Sequence, residues 1–482
     1  MAVLSNLEPK EVFSYFEEIS SIPRASYHEE KISNYCVEFA KKHNLEYIQD
    51  ELKNIIIIKE ATPGYEQEEP VIIQGHLDMV CEKKPDCDID FDTDGISILI
   101  EGDDLTADGT TLGGDDGIAV AYALAILASD TIAHPRLEVI FTVSEEVGME
   151  GASEIDVSML KGRRLLNLDS EEEGILLAGC AGGAGIKCRL PVQCVSMEGI
   201  PVEIKIDGLN GGHSGTEIDK GRANANILMG RLLIELAKHV TYHLASFEGG
   251  RKDNAIPRES KVILCLEEKD LDTLEQAIGK IQKDLSNECA VTDKNVKITI
   301  EKENAPLPFK MLDDASTRRA LLFVNAMPNG VQAMSADVEG LVETSLNLGV
   351  LELNYQEMLL SYAVRSSVSS AKEALLDKMA YLTECLGGSV EISGNYPAWE
   401  YKRDSAFRDK LAAVYERMYG KPPIIQAIHA GLECGLLAGK LPGLDCISIG
   451  PDMQDVHTTE EKLNIPSTKR IWDFILEVLK EK

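Results

Sequence analysis

The chain has 482 residues, with 48 Lys+Arg against 81 Asp+Glu and a formal net charge of −33. Hydrophobic residues make up 44% and charged residues 27%, enough apolar content for a sizeable core and too much for a disordered chain. So acidic a surface excludes nucleic acid and anionic membranes as expected partners, because both need basic surface.

Length predicts more than one domain. The opening MAVLSNLEPKEVFSYFEEIS lacks the basic and apolar regions of a secretory signal, and no apolar run of 18 or more residues suggests a membrane span. The eleven cysteines include no CxxC pair, so free thiols in a reducing cytoplasm are expected. Cys434 is the one candidate nucleophile among them, and the default for such a residue is an inert buried thiol.

In chain order, the periodicity predicts helices over 8–19 and 29–43, separated by the turn SSIPRAS. Short strands follow at Asn54–Lys59 and Pro70–Gln74, then an acidic loop from Cys81 to Asp94 and a strand at Ile96–Glu101. GGDDG at 113–117 opens an Ala- and Leu-rich helical pattern. Leu137–Val143 and Arg164–Leu168 read as strands running into SEEVG and DSEEEG. This alternation predicts an α/β domain with a mixed central sheet flanked by helices.

The Gly-rich AGCAGGAG at 178–185 reads as a domain boundary. Beyond it, strands such as Val202–Ile206 and Lys261–Leu266 mix with amphipathic helices at Asn224–Lys238 and Leu271–Leu285. A second set follows: helix Ala315–Asn325, strands Val342–Leu353 and Met358–Val364, helix Ala371–Leu386, and strand Ser389–Ile392. The expected organisation is a catalytic domain of 1–185 plus 393–482, with an inserted α+β lid over 186–392. The lid reads as two degenerate tandem subdomains, 186–303 and 310–393. After Asn395, helices at 405–419, 431–438 and 466–481 and a strand at Asp445–Ile449 return to the first domain.

The chemistry concentrates at predicted strand ends. His76 and Asp78 follow VIIQG, Asp115 and Asp116 sit in the GGDDG turn, Glu145 and Glu146 follow LEVIFTVS, Asp169 follows RRLLNL, and His457 follows the strand DCISI. Open α/β sheets bind ligands beyond the carboxyl ends of their strands. So many carboxylates in one crevice need cations to neutralise them. Imidazole and carboxylate without thiolate suit zinc or a similar divalent ion. The set is large enough for a two-metal site with one bridging carboxylate. The neighbours Glu145 and Glu146 can divide into a general base and a ligand, and Asp78 is spaced to orient His76.

GHLDMV, LGGDDGIA, TVSEEVG, LLNLDSEE, GLNGGHSG, NAIPRE, HAGLECG and DVHTTEE together resemble the di-zinc metallopeptidase family of dipeptidases, carboxypeptidases and aminoacylases. Within it they are most similar to the aminoacyl-histidine (Xaa-His) dipeptidases, a peptidase D or bacterial carnosinase-like branch. The resemblance covers essentially the whole chain. It implies that His76 and Asp169 bind one zinc, Glu146 and His457 the other, and Asp115 both. It further implies that Glu145 is the general base, that Asp78 orients His76, and that the Asp115–Asp116 bond is cis. Position 116 is usually Asn in that branch, so Asp116 adds a charge.

From the lid, the resemblance implies that His213 polarises the scissile carbonyl and that Asn254 and Arg365 hold the substrate backbone and carboxylate. His429, Gly431 and Glu433 would line the substrate pocket. The implied activity is cytoplasmic hydrolysis of Xaa-His and related dipeptides with two Zn2+, or Mn2+ or Co2+ in their place. N-acyl amino-acid deacylation or tripeptide cleavage is the alternative within the same clan. A metal-free binding protein is the alternative outside it, and it would lack a ligand or Glu145. A long lid allows His213 to act within a monomer, and the family includes homodimers.

Overall fold

The computed structural model describes residues 3–303 and 305–482. They divide into two compact units. One comprises residues up to Cys180, Tyr401–Ala427 and Leu432–Lys482; the other comprises Ala181–Glu400 and Ile428–Gly431.

The first unit is built on an eight-stranded sheet. Its order is 46–49, 55–59, 137–142, 71–76, 164–167, 445–448, 175–180, 424–428. The middle four strands run parallel, Val71–His76 lying between Leu137–Thr142 and Arg164–Asn167. Both Val71–His76 and Leu137–Thr142 are buried along their whole length, as expected of parallel strands covered on both faces. Helix Gly114–Ala128 is buried from Gly114 to Leu127. A helix that is apolar all round belongs inside a core, and Phe13, Phe16 and Trp472 share its cluster.

Strand and turn approach closely beneath this helix. A Cβ on Gly75 would lie 2.6 Å from both the Ala119 Cβ and Asp116 Oδ2, so only glycine fits there. A small four-stranded sheet pairs 98–101, 104–107, 462–464 and 453–454. It anchors the hairpin whose turn carries His457.

The second unit has one ten-stranded antiparallel sheet. Its main path is 297–302, 194–207, 260–266, 242–249, 342–353, 357–366, 182–191, 389–396. The two halves of this path have one topology. In chain order, 194–207, helix 225–236, 242–249, 260–266, helix 271–288 and 297–302 form a βαββαβ unit with spatial order 4-1-3-2. Strand 182–191, helix 314–326, strands 342–353 and 357–366, helix 369–385 and strand 389–396 repeat that order. The halves join edge to edge where Phe247 pairs with Leu353.

The internal repeat is therefore nested rather than tandem. The first strand of the second half, Gly182–Pro191, precedes the whole first half in sequence. The glycines at 178–185 fall at the boundary between the two units, as expected. They run through strands Ile175–Cys180 and Gly182–Pro191, broken only at Ala181. A Cβ at Gly182 would meet the Ala398 backbone nitrogen at 2.5 Å, so glycine here serves close approach rather than a turn. Alternating burial along these strands turns one sheet face onto the core shared with the four helices.

Candidate metal centre and a cluster in the second unit

In the first unit, the ends of the parallel strands bring His76, Asp115, Asp116, Glu145, Glu146, Asp169 and His457 together. Asp115 sits at the centre. His76 Nε2 lies 3.0 Å from Asp115 Oδ1, and His457 Nε2 lies 3.0 Å from Asp115 Oδ2. His76 Nε2 also lies 3.7 Å from Asp169 Oδ1, and His457 Nε2 lies 3.0 Å from Glu146 Oε1. Each oxygen of one carboxylate thus faces a different histidine, and each histidine has a further carboxylate of its own.

Among the described residues, three sets of side chains present potential ligand atoms within 4.8 Å of one another: His76, Asp116 and Asp169; His76, Glu145 and Glu146; and Asp115, Glu146 and His457. The Asp115–Asp116 peptide is cis.

The electrostatics show what such a cluster demands. Burial drives Asp169 up to about 8, with Asp115 adding to the rise. Burial also pushes Glu145 well above the carboxylate range, with Asp169, Glu433 and Glu146 adding to it against the pull of His76. Hydrogen bonds to Asp115 and Glu146 hold His457 up at about 11. Burial opposes a charge on His76, but the carboxylates of Asp115, Asp169 and Asp78 outweigh it. These groups cannot all carry their usual charges at neutral pH without compensating positive charge. Two imidazoles and carboxylates, without thiolate, form a donor set that divalent cations fit.

Asp78 is wholly buried behind His76. Its Oδ1 lies 3.4 Å from His76 Nδ1 and accepts the Glu145 N–H at 3.0 Å, while Oδ2 accepts from Ser26 Oγ at 2.8 Å. One carboxylate therefore orients an imidazole and the backbone of the neighbouring acidic pair. Two nearby non-glycine residues, Ser144 (φ 53) and His457 (φ 65), occupy the left-handed region. Such strain persists only where surroundings hold it, and at Ser144 Glu29 does so, accepting from its N–H at 2.8 Å and its hydroxyl at 2.9 Å.

Other residues of this centre are not expected from the motifs. Arg24, 3% exposed, donates to the carbonyls of Leu77, Asp78 and Gly113. Glu461 accepts from the N–H groups of Leu112 at 2.8, Gly113 at 3.1, Gly114 at 2.8 and Asp115 at 3.4 Å. Four backbone donors on one buried carboxylate hold the turn that presents Asp115. Neither residue stands out in sequence, since one lies in an ordinary turn and the other ends a charged run. Glu433 is fully buried, its carboxylate taken by Gln74 and Thr142, which is a different environment from the expected pocket lining. Cys434 is likewise buried, and burial pushes its thiol well above its usual value, so it is no nucleophile at neutral pH.

The second unit holds the remaining expected residues. A short ladder pairs Gly212–His213 with Ala255–Ile256, and the Asn254 carbonyl accepts the Ser214 N–H at 2.9 Å. His213 Nδ1 accepts the N–H groups of Gly215 at 3.3 Å and Thr216 at 3.2 Å. In the neutral ring this places the proton on Nε2. Burial and the Arg365 charge lower the His213 pKa and favour that neutral form.

His213, Arg365 and His429 converge at Gly215. A Cβ there would lie 2.9 Å from His213 Cε1, 3.1 Å from Arg365 Nε and 2.8 Å from the His429 carbonyl. Arg365 Nη1 lies 3.3 Å from the Tyr396 hydroxyl, and His429 Nε2 lies 2.7 Å from Ser345 Oγ. Gly431 faces the same tyrosine, whose hydroxyl would be 2.9 Å from an added Cβ. The Asn254 residue is exposed, and Ser345 and Tyr396 join this cluster without having been expected.

The sequence profile of peptidase family M20/M25/M40 matches residues 72–481. The chain is 38% identical to the cytosol non-specific dipeptidase of Escherichia coli (strain K12), across 100% of this chain and 99% of that one. The crystal structure of aminoacylhistidine dipeptidase from Vibrio alginolyticus superposes with a TM-score of 0.93 at 37% identity, covering 99% of this chain and 97% of that one. Aminopeptidase PepT from Bacillus cereus ATCC 10987 shares the fold at a TM-score of 0.56 and 16% identity, covering 98% of each chain. On the profile match and the full-length likeness to the dipeptidase, the chain belongs to peptidase family M20/M25/M40.

Proposed function

We propose that this protein is a cytoplasmic metal-dependent dipeptidase that hydrolyses Xaa-His and related dipeptides. The observation that carries the reading is Asp115, with each oxygen 3.0 Å from a different histidine, as a carboxylate shared by two cations would be. Family membership and full-length likeness to two named dipeptidases support it. One of those names is non-specific and the other is for aminoacyl-histidine, so the breadth of the substrate range is the open variable.

In this reading His76 and Asp169 would hold one Zn2+, Glu146 and His457 the other, and Asp115 both. Mn2+ or Co2+ would suit the same oxygen and nitrogen donors. The cations supply Lewis acidity and a water of lowered pKa. Glu145 takes the proton of the attacking water and passes it to the leaving amine as the C–N bond breaks. Asp78 keeps His76 in its orientation. His213 donates its Nε2–H to the carbonyl oxygen as negative charge develops there. Arg365 pairs with the substrate carboxylate, and Asn254, His429 and Gly431 bound the same subsite.

The test is a hydrolysis panel on metal-reconstituted protein beside Glu145→Gln. The panel holds carnosine, Ala-His, Leu-Gly, a tripeptide and an N-acetyl amino acid. Cleavage confined to dipeptides, with kcat at least about 100-fold lower in Glu145→Gln and two metals still bound, is the expected result. Cleavage of the N-acetyl amino acid alone would move the protein to a deacylase. A protein that binds no metal and turns nothing over would overturn the reading.

A further inference from the structure

Beneath the acidic centre lies a layer of polar side chains that the proposed reaction does not use. Gln74, Thr142, Asn167 and Glu433 are each 0% exposed. Three of them lie on the largely apolar strands VIIQGH, LEVIFT and RLLN. Polar groups in fully buried parallel strands are costly unless each finds a partner. Here they find one another. Glu433 Oε2 accepts from Gln74 Nε2 at 2.5 Å and from Thr142 Oγ1 at 2.7 Å. Gln74 Oε1 accepts from Asn167 Nδ2 at 2.7 Å, and Asn167 Oδ1 lies 3.4 Å from the Asp169 N–H.

The register gives this layer its meaning. Gln74 stands opposite Asn167, and Thr142 stands opposite His76. Residues two apart on a strand share a face, so Gln74 lies directly below His76. Asn167 precedes Asp169 by the same interval, and Thr142 precedes Glu145 by three. Gln74 and Asn167 therefore sit one step below His76 and Asp169, while Thr142 is level with His76 on the neighbouring strand, shortly before Glu145. Glu433, at the start of helix Glu433–Lys440, bonds directly to two of these strands and, through Gln74, reaches the third. Its other oxygen is buried with no hydrogen-bond partner among the described residues. A carboxylate is suited to the task because it accepts from both Gln74 and Thr142 and forces the Gln74 amide to turn its oxygen toward Asn167.

We propose that Glu433 is a positioning residue. Through the Thr142–Gln74–Asn167 layer it sets the relative placement of the strand ends that carry His76, Glu145 and Asp169, and it does not contact substrate. This rests on the metal-centre reading above. Groups that orient ligands commonly carry about 10- to 100-fold of metal affinity.

The test is zinc affinity of the purified full-length protein, measured by competition with a chromogenic chelator. It is run beside kcat and KM on a cleaved dipeptide for wild type, Glu433→Ala, Glu433→Gln and Thr142→Val. Glu433→Ala is expected to lose about 10- to 100-fold in zinc affinity and to lower kcat, with KM within about threefold of wild type. Glu433→Gln keeps an acceptor in place and is expected to recover most of that affinity. Thr142→Val keeps the shape of the side chain and removes one donor, so it is expected to lose at least about threefold in affinity. It also carries the test if Glu433→Ala does not fold.

A raised KM in Glu433→Ala with zinc affinity intact would place Glu433 at the substrate and overturn the proposal. Glu433→Gln as weak as Glu433→Ala would make the role one of charge and overturn it as well. So would unchanged zinc affinity in Thr142→Val. Failure of the wild-type protein to bind zinc would instead sink the metal-centre reading itself.

Discussion

His213 and His429 lie in one cluster, yet they are held for different purposes. His213 has its Nδ1 occupied by two backbone N–H groups, which leaves Nε2–H as a donor. In His213→Ala, kcat is expected to fall by about 10²–10³, as for loss of one oxyanion donor, with the metal content of the protein unchanged. Metal analysis alongside single-turnover rates checks both halves. His429 is instead a buried neutral ring, held down to about 4 by burial and then by the Arg365 charge. Its pKa in the unfolded chain is about 6.5. Between these values the unfolded state binds the extra proton, so stability falls as pH drops from 6.5 through 4 and is unaffected above. The full difference is worth up to about 3 kcal/mol. The stability gap between wild type and His429→Gln, followed by urea titration across pH 7 to 4, should narrow as the pH falls. A gap constant with pH would mean that His429 does not titrate this way.

At the scale of elements, the unexpected finding is how loops are pinned. The 112–115 turn presents Asp115, and its four N–H groups have Glu461 as their shared acceptor. Leaving buried donors unpaired costs about 1–3 kcal/mol each. Glu461→Ala is therefore expected to lower the melting temperature by several degrees and weaken metal binding together. Calorimetry and metal titration on the same samples test the pair, and a stability loss without weaker metal binding would separate the turn from the centre. Sequence patterning locates the helix after this turn and the acidic pair within it. It cannot show that a glutamate more than 340 positions away caps it, because that pairing depends on the hairpin that returns 453–464 to strand 104–107. The glycines at 178–185 do mark the boundary between the two units, but how they pack is not legible in the sequence, for a related reason. Glycine marks a turn by conformation and a close packing by size, and only the approach of 396–398 distinguishes the two.

For the whole molecule, the acidic centre couples stability to metal. Without cations, burial keeps Asp169 at about 8 and Glu433 at about 7, both far above their unfolded values near 4. A raised carboxylate means the folded state holds the proton longer, so stability is lost as pH rises through the folded pKa. Chelator-treated protein is thus expected to gain melting temperature as pH is lowered from 8 to 6.5, a window above the titration of His429. Metal-loaded protein should show a much flatter response, and equal slopes for the two forms would contradict the coupling. Asp115 does not enter this window, since its two histidines pull its pKa well below the usual range and its contribution is lost only in strong acid.

The primary structure by itself determined the ingredients of the centre. His76, Asp78, Asp115, Glu145, Glu146, Asp169 and His457 each stand at the end of a recognisable strand or the start of a recognisable helix, and parallel strands must gather such ends at one edge. Periodicity also revealed two similar halves after residue 186. Only the tertiary structure decided that these halves are nested, with Gly182–Pro191 completing the later one. It alone brought Arg24, Glu29, Glu433 and Glu461 to the centre as partners of its backbone and polar layer. The physical reason is the range of the interactions. Strand ends and turns follow from neighbours a few positions apart, whereas a buried carboxylate is placed by donors that the fold delivers from hundreds of positions away.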